Sequence, residues 1–316
     1  MVQVSVVIVT IGAKNYLKLC LDSLLKQTQL ACEIIIIDNS LRPELAREII
    51  QSYPSVKVYP NSENLFYSAS LNKGILLSQG EFIFCLNDDV ILNEDFIQEA
   101  VKGFWVNEKI GLVGGKILRG AGKILDSTGL FLTPWRTARE RGYGRLDSGQ
   151  FEKSGYIFGV NGAVVIYRKK MLEEIKGING YLDVNLRMFY EDLDISWRAN
   201  KKGWFAYYLS TAKAYHVRGG SFRPDSGIDK PMARRYLNDQ LHYELIKNRY
   251  LVIKNNENFL GFFLHLAPIL LYDLFVWGYV LFFQPRLLKI FFLKLGNYFK
   301  RKIAKLCYTQ KKELMF

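Results

Sequence analysis

The sequence predicts an α/β protein built on a mostly parallel, doubly wound sheet. Apolar, β-branched runs of strand length, such as VSVVIVT at 4–10, alternate with segments whose apolar residues recur at helical spacing. Polar residues follow the ends of several of these runs. Strands separated by helices are typical of a parallel sheet with helices on both faces. A chain of 316 residues is long enough to bury the core of such a sheet.

The predicted elements alternate along the first hundred residues. The strands are VSVVIVT (4–10), EIIIIDNS (33–40), VKVYP (56–60) and EFIFCLN (81–87). The helices are a segment with apolar residues at 17, 20, 21, 24 and 25, one that opens at Pro43, one over 69–77, and one with its apolar face over 96–104. Further along, the Gly- and Arg-rich segment 118–154 predicts loops and short strands. GYIFGVNGAVVIYR (155–168) predicts a strand, and 170–175 a helix.

Polar side chains stand where three of the predicted strands end. Thr10 ends the first strand, Asp38 and Asn39 end the second, and the pair Asp88–Asp89 follows the fourth. Ligands of open α/β sheets bind at the carboxyl edge of the strands, so these positions predict one crevice. Each residue taken alone could instead be a helix cap or a turn residue.

The adjacent carboxylates indicate how phosphate charge could be met in this crevice. The first strand is followed by TIGAKN, with neither the dinucleotide fingerprint nor a P-loop, which argues against a nicotinamide enzyme or a Walker-type nucleotide hydrolase. Paired carboxylates are a hard oxygen site suited to Mg²⁺ or Mn²⁺. Such a cation can bridge to a diphosphate and stabilise it as a leaving group.

Two further clusters carry candidate chemistry. In MFYEDLDISWR (188–198), Asp192 and Asp194 cannot share a helical face, so one acid can point into a cleft while another caps the helix. A carboxylate in apolar surroundings can act as a base, although the cluster could also be only a capped helix start. In AYHVRGGS (214–221), His216 ends a short strand and precedes residues suited to phosphate oxygens, whereas His242 and His265 are interpreted as structural.

Six stretches, taken in order, resemble family 2 of the glycosyltransferases, in particular its rhamnosyltransferase-like members. They are VSVVIVT, EIIIIDNS, NLFYSASLNKG, FCLNDDV, the run from GVNGAVVIYR to DLDISWR, and YHVRGGS, and they extend over about 4–221. The resemblance implies the nucleotide-sugar-binding fold called GT-A. Two positions depart from the family pattern. Ile11–Gly12 replaces the usual Tyr-Asn after the first strand, and the D-x-D motif begins with Asn87.

The resemblance also implies roles for individual residues of this chain. Those assigned to the nucleotide-sugar donor are Thr10, Asp38, Asn39, Asn64, Asn72 and Asp88. Those assigned to a divalent cation, Mg²⁺ or Mn²⁺, are Asp88, Asp89 and His216. Asp192 matches the family's general base, and Glu191 the acid beside it near the acceptor. The implied catalytic domain is 1–235, with a nucleotide-sugar half over 1–117 and an acceptor half over 118–235.

The remaining segment, 236–316, predicts a helical, membrane-associating extension. The apolar run 259–283 is long enough to cross a bilayer, but His265, Pro268 and Asp273 interrupt it. Basic residues flank both of its ends, which disfavours a single crossing and favours a re-entrant or in-plane segment. An amphipathic basic helix is expected after Pro285. The alternative is a pair of helices packed on the catalytic domain or on a partner chain.

The distribution of charge favours a membrane surface over nucleic acid as a partner. The formal net charge is +13, and from Arg286 onward nine Lys or Arg stand against one acid, so the excess lies beside apolar residues of the extension. Four cysteines without metal-type spacing indicate a reducing, cytosolic setting. The expected location is therefore the cytoplasmic face of the cell membrane.

These observations together predict a metal-dependent, inverting glycosyltransferase. It would move a hexose, of rhamnose type or another, from a nucleoside-diphosphate sugar to a glycan acceptor, expected to be a lipid-linked polysaccharide precursor. Two alternatives stay open at this point. One is a membrane-bound GT-A scaffold with weakened catalysis, which the Ile11–Gly12 replacement favours; the other is a nucleotidyltransferase on a similar sheet.

Overall fold

The computed structural model describes residues 2–12, 16–119, 122–217 and 237–294. Its strands are β1 Val4–Thr10, β2 Glu33–Asp38, β3 Val56–Pro60, β4 Phe82–Asn87, β5 Val90–Leu92, β6 Ile110–Arg119, β7 Ile124–Ser127, β8 Leu130–Leu132, β9 Ala138–Glu140, β10 Gly155–Ile157, β11 Val164–Arg168 and β12 Phe205–His216. Its helices are α1 Tyr16–Leu25, α2 Pro43–Ser52, α3 Phe66–Leu77, α4 Phe96–Val106, α5 Lys169–Ile175, α6 Glu191–Lys201, α7 Asp239–Asn256, α8 Phe259–Leu264 and α9 Leu266–Phe283. A short 3-10 helix covers Val184–Leu186, and residues 286–294 are also helical.

Ten strands form one mixed sheet, in the order β10-β12-β6-β11-β4-β1-β2-β3, with β5 and β7 paired onto β12 and β6. The strands β3, β2, β1 and β4 run parallel to one another. β11 is antiparallel to both of its neighbours, and β12 is again parallel to β6. A separate hairpin pairs β8 with β9. The doubly wound, mostly parallel sheet is confirmed, and antiparallel pairings add β5, β7, β10 and β11 to it.

The register of the parallel strands brings their polar ends together. Thr10 lies opposite Asp38, and Val9 lies opposite Asn87, the residue that precedes the acidic pair. Parallel strands in register end at the same sheet edge, so the three polar positions meet there. The crevice that the sequence predicted at this edge is therefore present.

Helices cover both faces of the sheet, which explains why β1 is buried along its whole length. Val4, Val6 and Ile8 point into one apolar cluster with residues of α1 and α4. Val7 and Val9 point into the opposite cluster with residues of α3 and α5. Side chains of a strand alternate between faces, so a strand covered on both sides is apolar at most of its positions.

Two predicted elements differ from those observed. The helix predicted over 69–77 begins earlier, at Phe66. The single strand predicted over 155–168 is wrong, because β10 pairs with β12 whereas β11 pairs with β4 and β6. A turn separates these two strands, and in it the Asn161 side chain accepts a hydrogen bond from the backbone N–H of Ala163 at 2.8 Å. Local polar bonding of this kind competes with strand pairing.

The described part of the helical extension packs on the catalytic domain. Val252 of α7 belongs to a third apolar cluster with Leu186, Leu193 and Trp197. By length and composition α9 could cross a membrane, with a mean hydropathy of 1.8 and few of its residues buried. The amphipathic helix expected after Pro285 falls within the described residues only to residue 294. Its remainder lies outside them, as do Arg218 to Ser221.

Candidate active site

The acidic pair lies in the tight connection between β4 and β5, at the carboxyl edge of the sheet. The Thr10 hydroxyl donates a hydrogen bond of 2.6 Å to Oδ2 of Asp88. Both carboxylates are buried. Burial, together with the neighbouring Asp89, raises the pKa of Asp88 to about 7. The site therefore concentrates negative charge that a cation would compensate.

His216 comes to the same place through strand pairing. It lies opposite Val90 where β12 pairs with β5, so the end of β12 stands beside Asp89. Its Nε2 is 3.2 Å from Oδ1 of Asp89, and its Nδ1 is 2.9 Å from Oδ2 of Asp126. Burial alone would lower the pKa of His216, but the two carboxylates outweigh it and raise the pKa to about 9.

Asp88, Asp89 and His216 fit a divalent cation by the chemistry of their donors. Two carboxylates and an imidazole are ligands that Mn²⁺ accepts, and the carboxylates alone suit Mg²⁺. Asp126 stands behind the histidine, as an orienting carboxylate does in many metal sites. Over the residues that the structure describes, no three His, Cys, Asp or Glu side chains are already arranged as a metal site.

The second acidic cluster begins α6 and faces the same cleft. Oδ1 of Asp192 accepts a hydrogen bond of 2.8 Å from the N–H of Leu193, and Oδ2 lies 3.4 Å from the N–H of Gly162. Asp194 turns away and pairs with Arg198, one helical turn on. The sequence spacing required this divergence of Asp192 and Asp194.

The pKa of Glu191 is raised far above its ordinary value. Burial, and then the neighbouring Asp192, raise its pKa to about 8. Its Oε2 is buried and has no hydrogen-bond partner within the described residues. Two acids side by side avoid double ionisation when one keeps its proton. The raised pKa of Glu191 therefore favours its neutral form at neutral pH.

The structure places the remaining predicted donor residues in two groups. Asn39 and Asn64 line the cleft, and Oδ1 of Asn39 accepts hydrogen bonds from Asn61 and from the backbone of Leu65. Asp38 and Asn72 do not line it. The Asp38 carboxylate accepts a bond from the N–H of Ser40.

The side chain of Asn72, predicted to contact the donor, is instead bonded to the protein backbone. Its amide donates to the carbonyl of Leu182 at 2.8 Å and accepts from the N–H of Leu182 at 2.9 Å. Both hydrogen-bonding groups are thus taken up by the backbone of another segment. The geometry gives Asn72 the role of joining α3 to that segment and does not support direct contact with a donor.

One cleft of about 2230 Å³ joins both acidic clusters. Its wall at the sheet edge includes Thr10, Asp88, Asp89 and His216, and its floor includes Glu191 and Asp192. Ile11, which is 45% exposed, also lines it and offers an apolar surface beside the end of β1. On the far side the cleft continues along α7 and α9.

Sequence reasoning missed four polar residues of this site. The Tyr67 hydroxyl donates to Oδ1 of Asn87 at 2.8 Å. Burial, and to a smaller extent the nearby Glu191, raise the pKa of Tyr67. Asn161 donates to Glu140, and both line the cleft. Asp126 supports His216. Tyr67 and Asn161 lie inside the stretches that carry the family resemblance, whereas Glu140 and Asp126 come from the Gly- and Arg-rich segment, whose sequence gave no periodic signal.

A parallel sheet whose acidic edge faces a second acidic cluster across one cleft is the architecture of a glycosyltransferase of GT-A fold. In agreement, the model of "Glycosyl transferase family 2" matches residues 5–176, more than half of the chain. The chain therefore belongs to glycosyl transferase family 2 and is a glycosyltransferase.

Individual relatives are distant. The N-acetylglucosaminyl-diphospho-decaprenol L-rhamnosyltransferase of Mycobacterium tuberculosis is 23% identical over 68% of this chain and 76% of its own length. The uncharacterized protein y4gI of Sinorhizobium fredii is 25% identical over 69% of this chain, which spans only 25% of that protein. The glycosyltransferase GlyA of Streptococcus pneumoniae is 21% identical over 69% of this chain and 31% of its own length.

Solved structures confirm the fold. The crystal structure of GalNAc-T7 with UDP, GalNAc and Mn²⁺ superposes with a TM-score of 0.57 at 16% identity. The match covers 68% of this chain and 43% of that one. At this identity the likeness establishes the GT-A architecture and no more.

Proposed function

We propose that this glycosyltransferase is metal-dependent and inverting, and that it transfers a sugar from a nucleoside-diphosphate sugar to a lipid-linked glycan. The observation that carries the proposal is that Asp88, Asp89 and His216 line the same cleft as Glu191 and Asp192. One cluster suits a cation with a diphosphate, and the other suits a hydroxyl acceptor. The diphospho-decaprenol in the name of the Mycobacterium relative, and the UDP and Mn²⁺ in the GalNAc-T7 crystal structure, support this division.

The donor end of the cleft would hold the cation through Asp88, Asp89 and His216. Bound there, Mg²⁺ or Mn²⁺ would neutralise charge on the diphosphate leaving group. Thr10 fixes one oxygen of Asp88, and Asp126 fixes the His216 ring. The chain's own contribution at this end is thus to orient these side chains and to exclude water from them.

The acceptor end would supply the base. Asp192 takes the proton of the acceptor hydroxyl as this oxygen attacks the sugar on the side opposite the leaving diphosphate, which inverts the anomeric centre. Glu191, whose raised pKa favours the neutral form, can donate a hydrogen bond to the acceptor. If Glu191 and Asp192 were both ionised, repulsion between the two carboxylates would oppose this arrangement.

A thermal-shift screen followed by an activity assay tests this function. Thymidine-diphosphate rhamnose and uridine-diphosphate sugars are screened with Mn²⁺, since a ligand of the native state raises its melting temperature. The selected compound is then assayed for hydrolysis and transfer. Activity that is lost with a chelator and restored by Mn²⁺ supports the proposal. Chelator-stripped enzyme of undiminished activity contradicts metal dependence, and an absence of any turnover favours a scaffold without catalysis.

We further propose that α8 and α9 lie in the plane of the membrane at its cytoplasmic face. Ile269, Asp273 and Val280 share one face of α9, where the two apolar residues are buried and Asp273 pairs with Arg249 of α7. The other faces of α8 and α9 present apolar side chains, among them Phe259 and Phe282, to the outside. A contiguous exposed apolar surface is typical of a membrane or protein contact. Because one side of α9 is docked on α7, α9 suits a position in the membrane interface better than a position across the bilayer.

Vesicle binding and alkaline extraction test the membrane proposal. Leu274→Ser with Phe282→Ser should weaken binding to anionic vesicles. The matched control is Leu76→Ser with Trp105→Ser, two residues of similar exposure on the catalytic domain, which should leave binding unchanged. Complete release of the intact chain by alkaline carbonate, followed by solubility without detergent, would contradict membrane insertion.

A further inference from the structure

The loop that precedes the catalytic acids has an unfavourable backbone. Arg187, Phe189 and Tyr190 have φ values of 56°, 73° and 71°, in the left-handed region. Residues with a Cβ rarely adopt this conformation, and three of them within four positions require the surroundings to impose it. Glu191 follows Tyr190 directly and begins α6. The direction in which Glu191 and Asp192 enter the cleft therefore depends on this loop.

One side chain of α7, that of Asn248, contacts the backbone carbonyl groups of this loop. The Asn248 amide nitrogen donates to the carbonyl of Leu186 and lies 2.7 Å from that of Met188 and 2.9 Å from that of Phe189. Asn248 is fully buried. Three carbonyl oxygens that converge on one point repel one another unless a donor lies between them, so the amide makes the conformation tolerable.

The same face of α7 braces α6 further along. Val252, one turn after Asn248, packs with Leu193 and Trp197. Asn256, a further turn on, donates to Oδ1 of Asp194 at 2.7 Å. Val252 and Asn256 thus contact side chains of α6, and Val252 also those of Leu186, whereas Asn248 alone among the three hydrogen-bonds the backbone of the loop before α6. The roles of Asn248 and Val252 can therefore be separated by mutation.

We propose that Asn248 is a positioning residue of the transfer reaction, acting through the strained loop on Asp192. The proposal rests on the assignment of Asp192 as the base. Loss of the amide donor frees the loop to leave its left-handed conformation, and Asp192 then moves relative to the acceptor hydroxyl. A shift of about 1 Å at a reacting group can cost a hundredfold in rate. The donor end of the cleft, at the sheet edge, keeps its geometry.

The test compares Asn248→Ala and Asn248→Asp with Val252→Ala in the full-length protein. Asn248→Asp keeps the volume of the side chain but has no N–H group to donate. A fall in kcat that both variants share is therefore due to the missing donor and not to a cavity. We expect kcat to fall about tenfold to a hundredfold in both, with KM for the nucleotide sugar and calorimetric binding of UDP with Mn²⁺ unchanged. Val252→Ala should lower Tm and leave kcat within about twofold of the wild-type value.

Hydrogen exchange supplies a readout independent of activity. In Asn248→Ala, amides of 187–190 should exchange faster than in wild type, whereas in Val252→Ala the increase should be confined to Leu186, α6 and α7. Wild-type kcat in either Asn248 variant, or a kcat that falls in Val252→Ala as far as in Asn248→Ala, overturns the proposal. If wild-type protein itself shows no turnover, the proposed function fails, and unchanged exchange of 187–190 in Asn248→Ala then overturns the positioning role separately.

Discussion

The His216 ring stands between two carboxylates, with Nε2 3.2 Å from Asp89 on one side and Nδ1 2.9 Å from Asp126 on the other. Asp89 and His216 are far apart in the sequence and meet because β5 pairs with the end of β12. Asp126 fixes the ring orientation, and Asp89 is then presented to the cleft beside an imidazole nitrogen. This relationship makes Asp89 the residue whose replacement best tests the cation site.

Replacing Asp89 should remove metal-dependent donor binding. Asp89→Ala deletes one carboxylate of the pair and leaves Asp88 as the one carboxylate among the three proposed ligands, which is a poor site for a hard cation. Calorimetric titration with UDP or thymidine diphosphate, with and without Mn²⁺, measures the effect. Asp95→Asn, an exposed acid before α4 whose side chain does not cap the helix, should behave as wild type. Metal-dependent binding that persists in Asp89→Ala would contradict the assignment.

Replacing Asp192 should affect turnover and spare donor binding. Asp192→Asn retains the shape of the side chain but cannot take a proton, so kcat should fall by about 10²- to 10⁴-fold. Binding of the nucleotide sugar, at the other end of the cleft, should stay nearly unchanged. Comparable activity in the mutant would remove Asp192 from the role of base.

Glu191 should make the fold less stable as the pH rises. Its folded-state pKa of about 8 lies above the ordinary value of 4.5, so the neutral form is favoured in the native state. The favourable contribution is complete below about pH 4.5 and is lost as the pH rises through about 8. Urea unfolding of wild type and Glu191→Gln, measured between about pH 5 and about pH 9, should show a smaller loss of stability in the variant. Parallel pH dependences would show that Glu191 titrates normally.

Breaking the ion pair between Arg249 and Asp273 should destabilise the extension. Arg249 is 4% exposed and also donates to the carbonyl of Trp135, at 2.7 Å from Nη2. Asp273→Ala leaves this guanidinium without its carboxylate, at a cost of about 3 kcal/mol in the free energy of unfolding. Lys102→Ala, which removes a more exposed pair with Glu99, should cost less than about 1 kcal/mol. Equal losses, measured by chemical denaturation, would show that Arg249 finds other partners.

The strands and helices of the first half could be predicted because their signals are local. The run Val4–Thr10 is apolar at five of its seven positions, which predicts a strand covered on both faces, and Pro43 begins α2 as its fixed φ predicts. The split of 155–168 into two strands could not be predicted, because it depends on which distant strands each part pairs with. Apolar composition does not specify a partner.

The candidate site was predictable where the chemistry lies in adjacent residues. Asp88–Asp89 and Glu191–Asp192 are recognisable as clusters in the sequence, and the structure brings both to one cleft. Asn72 lies within the same family-like stretch, but its side chain is taken up by the backbone of Leu182. A motif identifies the residue type at a position and cannot show whether a distant backbone segment already satisfies that side chain.

By itself the sequence determined the α/β class, the acidic ends of the strands and the apolar extension, because strand length, side-chain alternation and charge spacing are properties of neighbouring residues. Only the tertiary structure decided that Asp126 supports His216 and that Asn248 holds the loop before Asp192. Each of these contacts joins segments that are distant in the chain. Their formation depends on the packing of whole elements, since burial fixes which polar groups must find one another.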